Sequence, residues 1–201
     1  MHNLTAQSLA CERNGRTLFS GLNIVITPGQ YVELRGPNGA GKSSLLRLLA
    51  GLLPASAGTI AADGKTSADE PLATQLHFIA HDSAMKTAMT VAENLQFWCD
   101  VLGGSAIANA LQAFSLESLR DDPVQLLSAG QRRRLALSRL FVAERPIWLL
   151  DEPATALDQK STSTLHAHMK AHTEHGGMII AAVHGETGLT PDQTIDLGQY
   201  T

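Results

Sequence analysis

The residues from Gly36 to Ser44 have types and spacing suited to binding the phosphates of a nucleotide. They read GPNGAGKSS and contain the complete pattern G-x-x-x-x-G-K-[ST]. Glycines let the backbone wrap closely, so that its N–H groups point at phosphate oxygens, and a helix beginning near Lys42 adds its positive N-terminal dipole. Lys42 would carry charge to the β- and γ-phosphates, and the Ser43 hydroxyl suits Mg²⁺. The predicted phosphate-binding residues are Gly36, Pro37, Asn38, Gly39, Ala40, Gly41, Lys42, Ser43 and Ser44.

Two adjacent acids, Asp151 and Glu152, follow the continuous apolar segment of residues 147–150. Such a segment is typical of a strand buried on both faces of a parallel sheet, and open α/β sheets bind ligands at the ends of these strands. Mg²⁺ prefers oxygen ligands and keeps several waters, so Asp151 would hold the ion through water. Glu152 would polarise the water that attacks the γ-phosphate. The pair therefore predicts nucleotide hydrolysis.

The elements that must position these residues follow from the hydrophobic pattern. Short apolar or alternating segments predict strands at residues 4–12, 22–26, 31–35, 76–80, 147–150 and 178–183. Longer periodic segments predict helices at residues 43–53, 91–102, 106–114, 131–143 and 159–172. The phosphate loop thus joins a strand to a helix, which is the context that its motif requires.

The composition excludes several classes of protein. The chain has 201 residues, 44% of them apolar, which is enough for one compact α/β domain over residues 1–201. A net charge of −4 and a pI of about 6.0 give no basic surface, so we expect no nucleic-acid partner. No apolar run is long enough to span a membrane, and Cys11 and Cys99 form no metal or redox motif.

A third motif, Leu127-Ser128-Ala129-Gly130-Gln131, precedes the two acids and indicates which class of nucleotide hydrolase the chain resembles. It resembles the signature peptide of ABC-type ATPases, which usually reads LSGGQ. Thr155-Ala156-Leu157-Asp158 resembles the D-loop of the same family, and His184, after a predicted strand, resembles its switch histidine. Together with the phosphate loop and the acid pair, these motifs stand in the family's order over essentially the whole chain.

The resemblance implies the α/β fold of the ABC ATPases, which are P-loop NTPases with a RecA-like core and an antiparallel β subdomain. A helical subdomain would be inserted at roughly residues 82–143. The resemblance also implies that ATP is held between two copies of the chain. One copy would supply the catalytic residues Lys42, Glu152 and His184. The other copy would reach across with Ser128 and Gly130. Gln131 and Asp158 are also predicted to bind the nucleotide.

Local segments resemble more closely the ATP-binding subunits of the Ccm system, which matures c-type cytochromes. One of these segments is Ile79-Ala80-His81 followed by Lys86-Thr87. The resemblance implies membrane partners similar to CcmB and CcmC, an indirect link to the haem chaperone CcmE, and a peripheral position on the cytoplasmic face of the bacterial inner membrane. ATP hydrolysis would power release of the haem-loaded chaperone or haem export. The alternative is an ABC exporter subunit with another cargo, such as a lipid, a drug or an amino acid.

Two positions depart from the ABC pattern. Arg13 stands where most members have an aromatic residue that stacks on adenine. Because a guanidinium plane can also stack on a base, Arg13 is either a weak adenine contact or a solvated turn residue. His81 stands where the family has a glutamine that touches Mg²⁺. Imidazole is a poor ligand for this hard ion, so His81 would act on the metal indirectly, through water, or serve mainly in coupling to the membrane partner.

Three other features of the sequence allow an expectation about structure. Ala129 replaces a usual glycine and predicts an ordinary backbone there, because alanine tolerates positive φ poorly. The run Arg132-Arg133-Arg134 either faces a nucleotide-bound partner or forms a partly solvated helix face, and we expect the solvated face. His168 and His172 have the i,i+4 spacing that could bind a metal or haem. With no cysteine or acidic motif around them, we expect no metal at these histidines.

Overall fold

The computed structural model describes residues 3–62, 64–66, 72–82, 84–185 and 187–200. The strands are β1 (Leu4–Arg13), β2 (Arg16–Ile26), β3 (Tyr31–Arg35), β4 (Ala57–Ala62), β5 (Lys65–Thr66), β6 (Leu76–Ile79), β7 (Ile147–Asp151), β8 (Met178–Ala182) and β9 (Gln193–Asp196). The α-helices are α1 (Lys42–Leu49), α2 (Val91–Leu102), α3 (Ala108–Ala113), α4 (Ala129–Ser138) and α5 (Gln159–Glu174).

The strands form two sheets of different kinds. Antiparallel pairing joins β2, β1, β4 and β5, in that order. The order of the second sheet is β6-β7-β8-β3-β9, and β7 with β8, β8 with β3, and β3 with β9 are parallel pairs. Every residue of β7 and β8 is buried, as expected for a parallel sheet covered on both faces.

One hydrophobic core contains side chains from both sheets and from α1. Leu22, Ile24 and Ile26 of β2 are buried, whereas Val25 is 57% exposed. This alternation is typical of a strand with one solvent-exposed face. Burying a large aliphatic side chain contributes about 1.5–3 kcal/mol. This core therefore fixes α1, and with it the end of the phosphate loop, against the strands.

Three predicted elements differ from the structure by several residues at a boundary. β4 lies in residues 55–75, where the sequence predicts a short strand and a loop, whereas the strands β5 and β9 were missed. β2 begins at Arg16 rather than at residue 22, because Phe19 in its polar first half is buried and pairs with Cys11. α1 ends at Leu49 rather than at residue 53, because Gly51 has a left-handed φ of 70°. The predicted helix 131–143 is α4 followed by a 3₁₀ turn over Arg139–Phe141. β9 was missed because it is a polar edge strand with a single buried apolar residue.

The chain divides into two compact units. The sheet unit contains Met1–Phe78, Pro146–Glu152 and Met169–Thr201, and the helical unit contains Ile79–Arg145 and Pro153–His168. The helical subdomain predicted at residues 82–143 falls within the helical unit, which also includes the segment that follows the acid pair.

His168 and His172 have structural partners. The His168 ring lies 4.6 Å from the Phe141 ring, and the His172 ring stacks on Trp148 at 3.9 Å between centroids. Burial lowers the pKa of His172 to about 4, so this imidazole is neutral at physiological pH. Over the described residues, no three His, Cys, Asp or Glu side chains are grouped so as to hold a metal ion.

Hydrogen bonds and close packing define both ends of α2. Thr90 and Glu93 form a capping box at its start, and Gly103 ends it with a left-handed φ of 74°. A Cβ added at Gly103 would meet open space, whereas one added at Gly104 would lie 1.8 Å from the carbonyl oxygen of Val142. The first glycine is needed for its conformation and the second for a close backbone approach.

We predict that Gly104→Ala lowers the free energy of unfolding by about 3 kcal/mol or more, because the opposing atom is backbone and cannot rotate away. Gly103→Ala is the matched control and should cost about 1–2 kcal/mol for the left-handed conformation alone. Urea denaturation followed by circular dichroism measures both values. Equal losses in the two variants would contradict the packing argument.

Candidate active site

The phosphate loop leaves β3 and enters α1 through glycines with unusual backbone angles. Gly41 has a φ of 99°, and a Cβ added there would lie 3.0 Å from the Phe19 ring. This position therefore requires glycine for its conformation and for its packing against β2. The Lys42 Nζ donates hydrogen bonds to the carbonyl oxygens of Gly36 at 2.8 Å and Pro37 at 3.2 Å, which hold the ammonium group within the loop.

Ser43 and Asp151 form a pair of oxygen donors beside the loop. The Ser43 hydroxyl donates to Asp151 Oδ1 at 3.1 Å. Asp151 is the last residue of β7 and only 2% exposed. A hydroxyl and a carboxylate are oxygen ligand types that Mg²⁺ accepts, and the carboxylate of Asp151 would act through water. The donor set therefore fits the predicted ion.

Glu152 lies against His184, with 3.0 Å between Oε1 and Nε2. Its backbone is left-handed, with a φ of 49°, and its N–H donates to the carbonyl of Ala182 at 2.9 Å. For a residue other than glycine this conformation costs roughly 1–2 kcal/mol, and such strain is concentrated at functional sites. No residue pattern indicated this strain, because glutamate has no preference for the left-handed region.

Lys42, Ser43, Glu152 and His184 line one cleft of about 720 Å³ in the sheet unit, and Asp151 lies behind its lining, in contact with Ser43. The predicted residues that line it are Arg13, Asn38, Gly39, Gly41, Lys42, Ser43, Ser44, Glu152 and His184. Asn14, Leu18 and Arg47 also line the cleft and were missed. Arg47 could have been found, because it lies four residues after Ser43 on the same helix face. Gly36, Pro37 and Ala40 belong to the loop but not to the cleft lining.

The signature run forms the start of α4 in the helical unit. Ser128 is the N-cap, where its hydroxyl accepts the Gln131 N–H at 3.2 Å and its own N–H donates to Gln131 Oε1 at 2.7 Å. The helix therefore begins at Ala129, not at Gln131, and the missed signal was the capping-box spacing S-x-x-Q. Ala129 has no positive φ, as predicted. A Cβ added at Gly130 would lie 3.0 Å from the Ala156 carbonyl oxygen, so glycine permits a close approach within the chain itself.

Asp158 caps the next helix, α5. Its Oδ1 accepts the Ser161 N–H at 2.7 Å. This backbone hydrogen bond, with a second bond from the Ser161 side chain, holds the pKa of Asp158 below its ordinary value. The Asp158 carboxylate thus caps a helix of its own chain, in addition to the contact with nucleotide that the sequence predicts.

His81 lies with the D-loop and the signature helix around a second cavity, of about 360 Å³, in the helical unit. Its lining also includes Asp82, Thr87, Ala129, Arg132, Thr155 and Ala156. His81 therefore lies beside the D-loop and the start of the signature helix.

Of the three arginines after the signature, Arg132 and Arg134 are partly exposed, whereas Arg133 is buried and is not part of the expected partly solvated face. Arg133 is 4% exposed and donates to the carbonyl oxygens of Pro153 and Ala80, each at 3.0 Å. Arg132 and Arg134 also donate to backbone carbonyls, on Leu127 and Phe114. Arg133 thus joins the segment after Glu152 to the segment before His81, and no sequence motif indicated this role.

We predict that Arg133→Gln lowers the free energy of unfolding by about 2 kcal/mol or more, because one buried and one part-buried carbonyl lose a charged donor. Arg134→Gln, which removes the same charge one residue later but a single hydrogen bond at 3.1 Å, is the control and should cost about half as much. Urea midpoints compare the variants. A larger loss at Arg134 would refute this view of Arg133.

The sequence and the structure both match known proteins. The sequence model of the ABC transporter family matches residues 19–155. The cytochrome c biogenesis ATP-binding export protein CcmA of Nitrobacter winogradskyi is 47% identical over 92% of this chain and 94% of its own. CcmA of Pseudomonas savastanoi pv. phaseolicola is 43% identical over 98% of this chain and 96% of its own.

A Pyrococcus furiosus ABC transporter ATP-binding protein has a TM-score of 0.86 over 99% of both chains, at 22% identity. That likeness concerns the fold alone, and it confirms the α/β ABC ATPase fold predicted from the motifs. The family match and the close relatives carry the classification further. The chain belongs to the ABC transporter family of ATP-binding proteins, and within that family to the group that contains CcmA.

Proposed function

We propose that the chain hydrolyses ATP as the ATP-binding subunit of a membrane complex for c-type cytochrome biogenesis. The contact between Glu152 and His184, in the cleft that Lys42 and Ser43 also line, is the observation that carries the chemistry. Membership of the ABC family supports ATP as the nucleotide. The names of the CcmA relatives support the biological role.

Hydrolysis transfers the γ-phosphoryl group of ATP to water. Glu152 accepts a proton from the attacking water, whose oxygen forms the new bond to phosphorus. The bond from that phosphorus to the bridging oxygen breaks, which leaves ADP and inorganic phosphate. Lys42 offsets the negative charge of the β- and γ-phosphates, and His184 orients the Glu152 carboxylate and the water.

Ser43 would hold Mg²⁺ through its hydroxyl and Asp151 through water, and their 3.1 Å contact supports this pairing. The ion supplies charge neutralisation at the phosphate oxygens. His81 would influence the ion only through water, or would serve to couple hydrolysis to the membrane partner, because an imidazole nitrogen suits this ion poorly.

A second copy of the chain would complete each site. Ala129 and Gly130 lie in the first turn of α4, so their N–H groups have no acceptor within the helix and make its N-terminus a suitable anion site. Ser128, Gly130, Gln131 and Asp158 would therefore face ATP that is bound to the other copy. ATP would draw the two copies together and hydrolysis would release them, which makes the γ-phosphate a two-state switch.

Arg13 would stack its guanidinium plane on the adenine ring. It lines the same cleft as Lys42 and Ser43, beside Asn14 and Leu18, which supports this role over that of a solvated turn residue. The weak stacking of a guanidinium would replace the aromatic contact of other members of the family.

The membrane partners would resemble CcmB and CcmC, and the haem chaperone CcmE would be reached through them. The complex would use hydrolysis to release the haem-loaded chaperone or to export haem. Over the described residues, no helix is both long and apolar enough to cross a bilayer. We therefore propose a peripheral position on the cytoplasmic face of the bacterial inner membrane, held by these partners.

We predict that Glu152→Gln keeps ATP binding but lowers turnover by about 100-fold or more, because the amide cannot take the proton from water. Phosphate release measures turnover, and fluorescent nucleotide titration measures binding. Glu144→Gln, at an exposed position, is the control and should behave as the unchanged protein. Rapid hydrolysis by the Glu152 variant would remove glutamate from the role of base.

We also predict that the tagged chain, purified with ATP from detergent-solubilised membranes of a bacterium that makes c-type cytochromes, carries with it subunits similar to CcmB and CcmC. Mass spectrometry identifies the co-purified proteins. Recovery of a different transporter subunit instead would redirect the proposal to another cargo, while leaving ATP hydrolysis untouched.

A further inference from the structure

A fully buried carboxylate, that of Glu33, stands in the middle of β3 and has no part in the chemistry described above. Glu33 is 0% exposed, and its strand is paired on both sides, with Ala181 of β8 and Thr194 of β9 as its register partners. Burying a charge is costly unless hydrogen bonds replace the lost water. A buried carboxylate at this position therefore needs several hydrogen-bond donors around it.

Four hydrogen bonds from three side chains satisfy this carboxylate. The hydroxyls of Tyr31 and Thr187 donate to Oε1 at 2.9 and 2.7 Å, and the Arg35 guanidinium donates to Oε2 at 2.8 and 2.6 Å. Burial acts to raise the pKa of Glu33, but the bonds from Thr187, Arg35 and Tyr31 outweigh it and hold the pKa below its ordinary value. Glu33 is thus a charged acceptor around which three groups are ordered.

One of those groups, Thr187, belongs to the segment that carries His184. This segment starts where the Val183 N–H donates to a carbonyl of β3 at 3.2 Å. It ends at Asp192, whose carboxylate and N–H both bond to the backbone of Tyr31, at 2.8 and 2.9 Å. Thr187 adds an anchor between these two points, three residues after His184.

We propose that Glu33, acting through the Thr187 hydroxyl, is a positioning residue that holds His184 against Glu152. The inference rests on the proposed role of His184 in hydrolysis. The His184 side chain is 47% exposed, so packing alone does not fix it, and its 3.0 Å contact with Glu152 depends on where its loop is held. Because β3 also leads into the phosphate loop, one strand sets the position of Lys42 and of His184.

The test removes only the hydroxyl. Thr187→Val should lower kcat for ATP hydrolysis about tenfold, with the KM for ATP within about twofold, because a misplaced orienting group harms the transition state more than binding. Thr187→Ser keeps the hydroxyl and should restore kcat. Thr190→Val, at an exposed threonine of the same segment, is the matched control and should be neutral. A normal kcat in Thr187→Val would overturn the inference, as would a loss that serine does not restore.

A double-mutant cycle separates this inference from the proposed function. In a His184→Ala background, Thr187→Val should cause no further loss, because the group that it positions is already gone. If His184→Ala alone hydrolyses ATP at the normal rate, the proposed role of His184 is wrong. If His184→Ala is slow and Thr187→Val slows it about tenfold more, the threonine acts elsewhere and the inference alone fails.

Discussion

The geometry of the site depends on the parallel hydrogen bonding of β8 to its two neighbours. Ala182 is paired with Leu34 of β3 on one side and with Asp151 of β7 on the other, and its carbonyl accepts the N–H of Glu152. This register brings the carboxyl ends of three strands to one edge of the sheet, where open α/β sheets bind ligands. A shift of one residue would move a strand by about 3.3 Å, more than the contact between Glu152 and His184 tolerates.

Each unit encloses a charged side chain whose partners come from segments far apart in sequence. In the sheet unit, the Glu33 carboxylate accepts hydrogen bonds from Tyr31 and Arg35 of its own strand and from Thr187 of a distant segment. In the helical unit, the Arg133 guanidinium donates hydrogen bonds to carbonyls of the residues next to Glu152 and His81. Apolar packing would tolerate small displacements of these segments, whereas hydrogen bonds lose strength within a few tenths of an ångström. The two charges therefore fix loop geometry in a way that the core alone does not.

How much could be predicted from the sequence follows from the range of the interactions. The phosphate loop and the acid pair were found because each motif is a short run whose chemistry is contained in its own residues. The capping box of Ser128 and Gln131 is equally local, so its spacing could also have been recognised in the sequence. The bonds of Glu33 to Thr187 and of Arg133 to Ala80 span 154 and 53 positions, and neither strand nor helix periodicity registers such pairs. Glu33 simply interrupts an apolar strand pattern.

The capping box at the start of α4 has a consequence for assembly. Ser128 and Gln131 satisfy each other within one chain, so the signature peptide is ordered before a second copy arrives. Fixing a loop residue on association costs about 1–2 kcal/mol of backbone entropy, and a peptide already fixed by folding avoids that loss. In a two-fold symmetric pair, this entropy loss is avoided at both nucleotide sites. Association of two copies would then need no further ordering of this peptide.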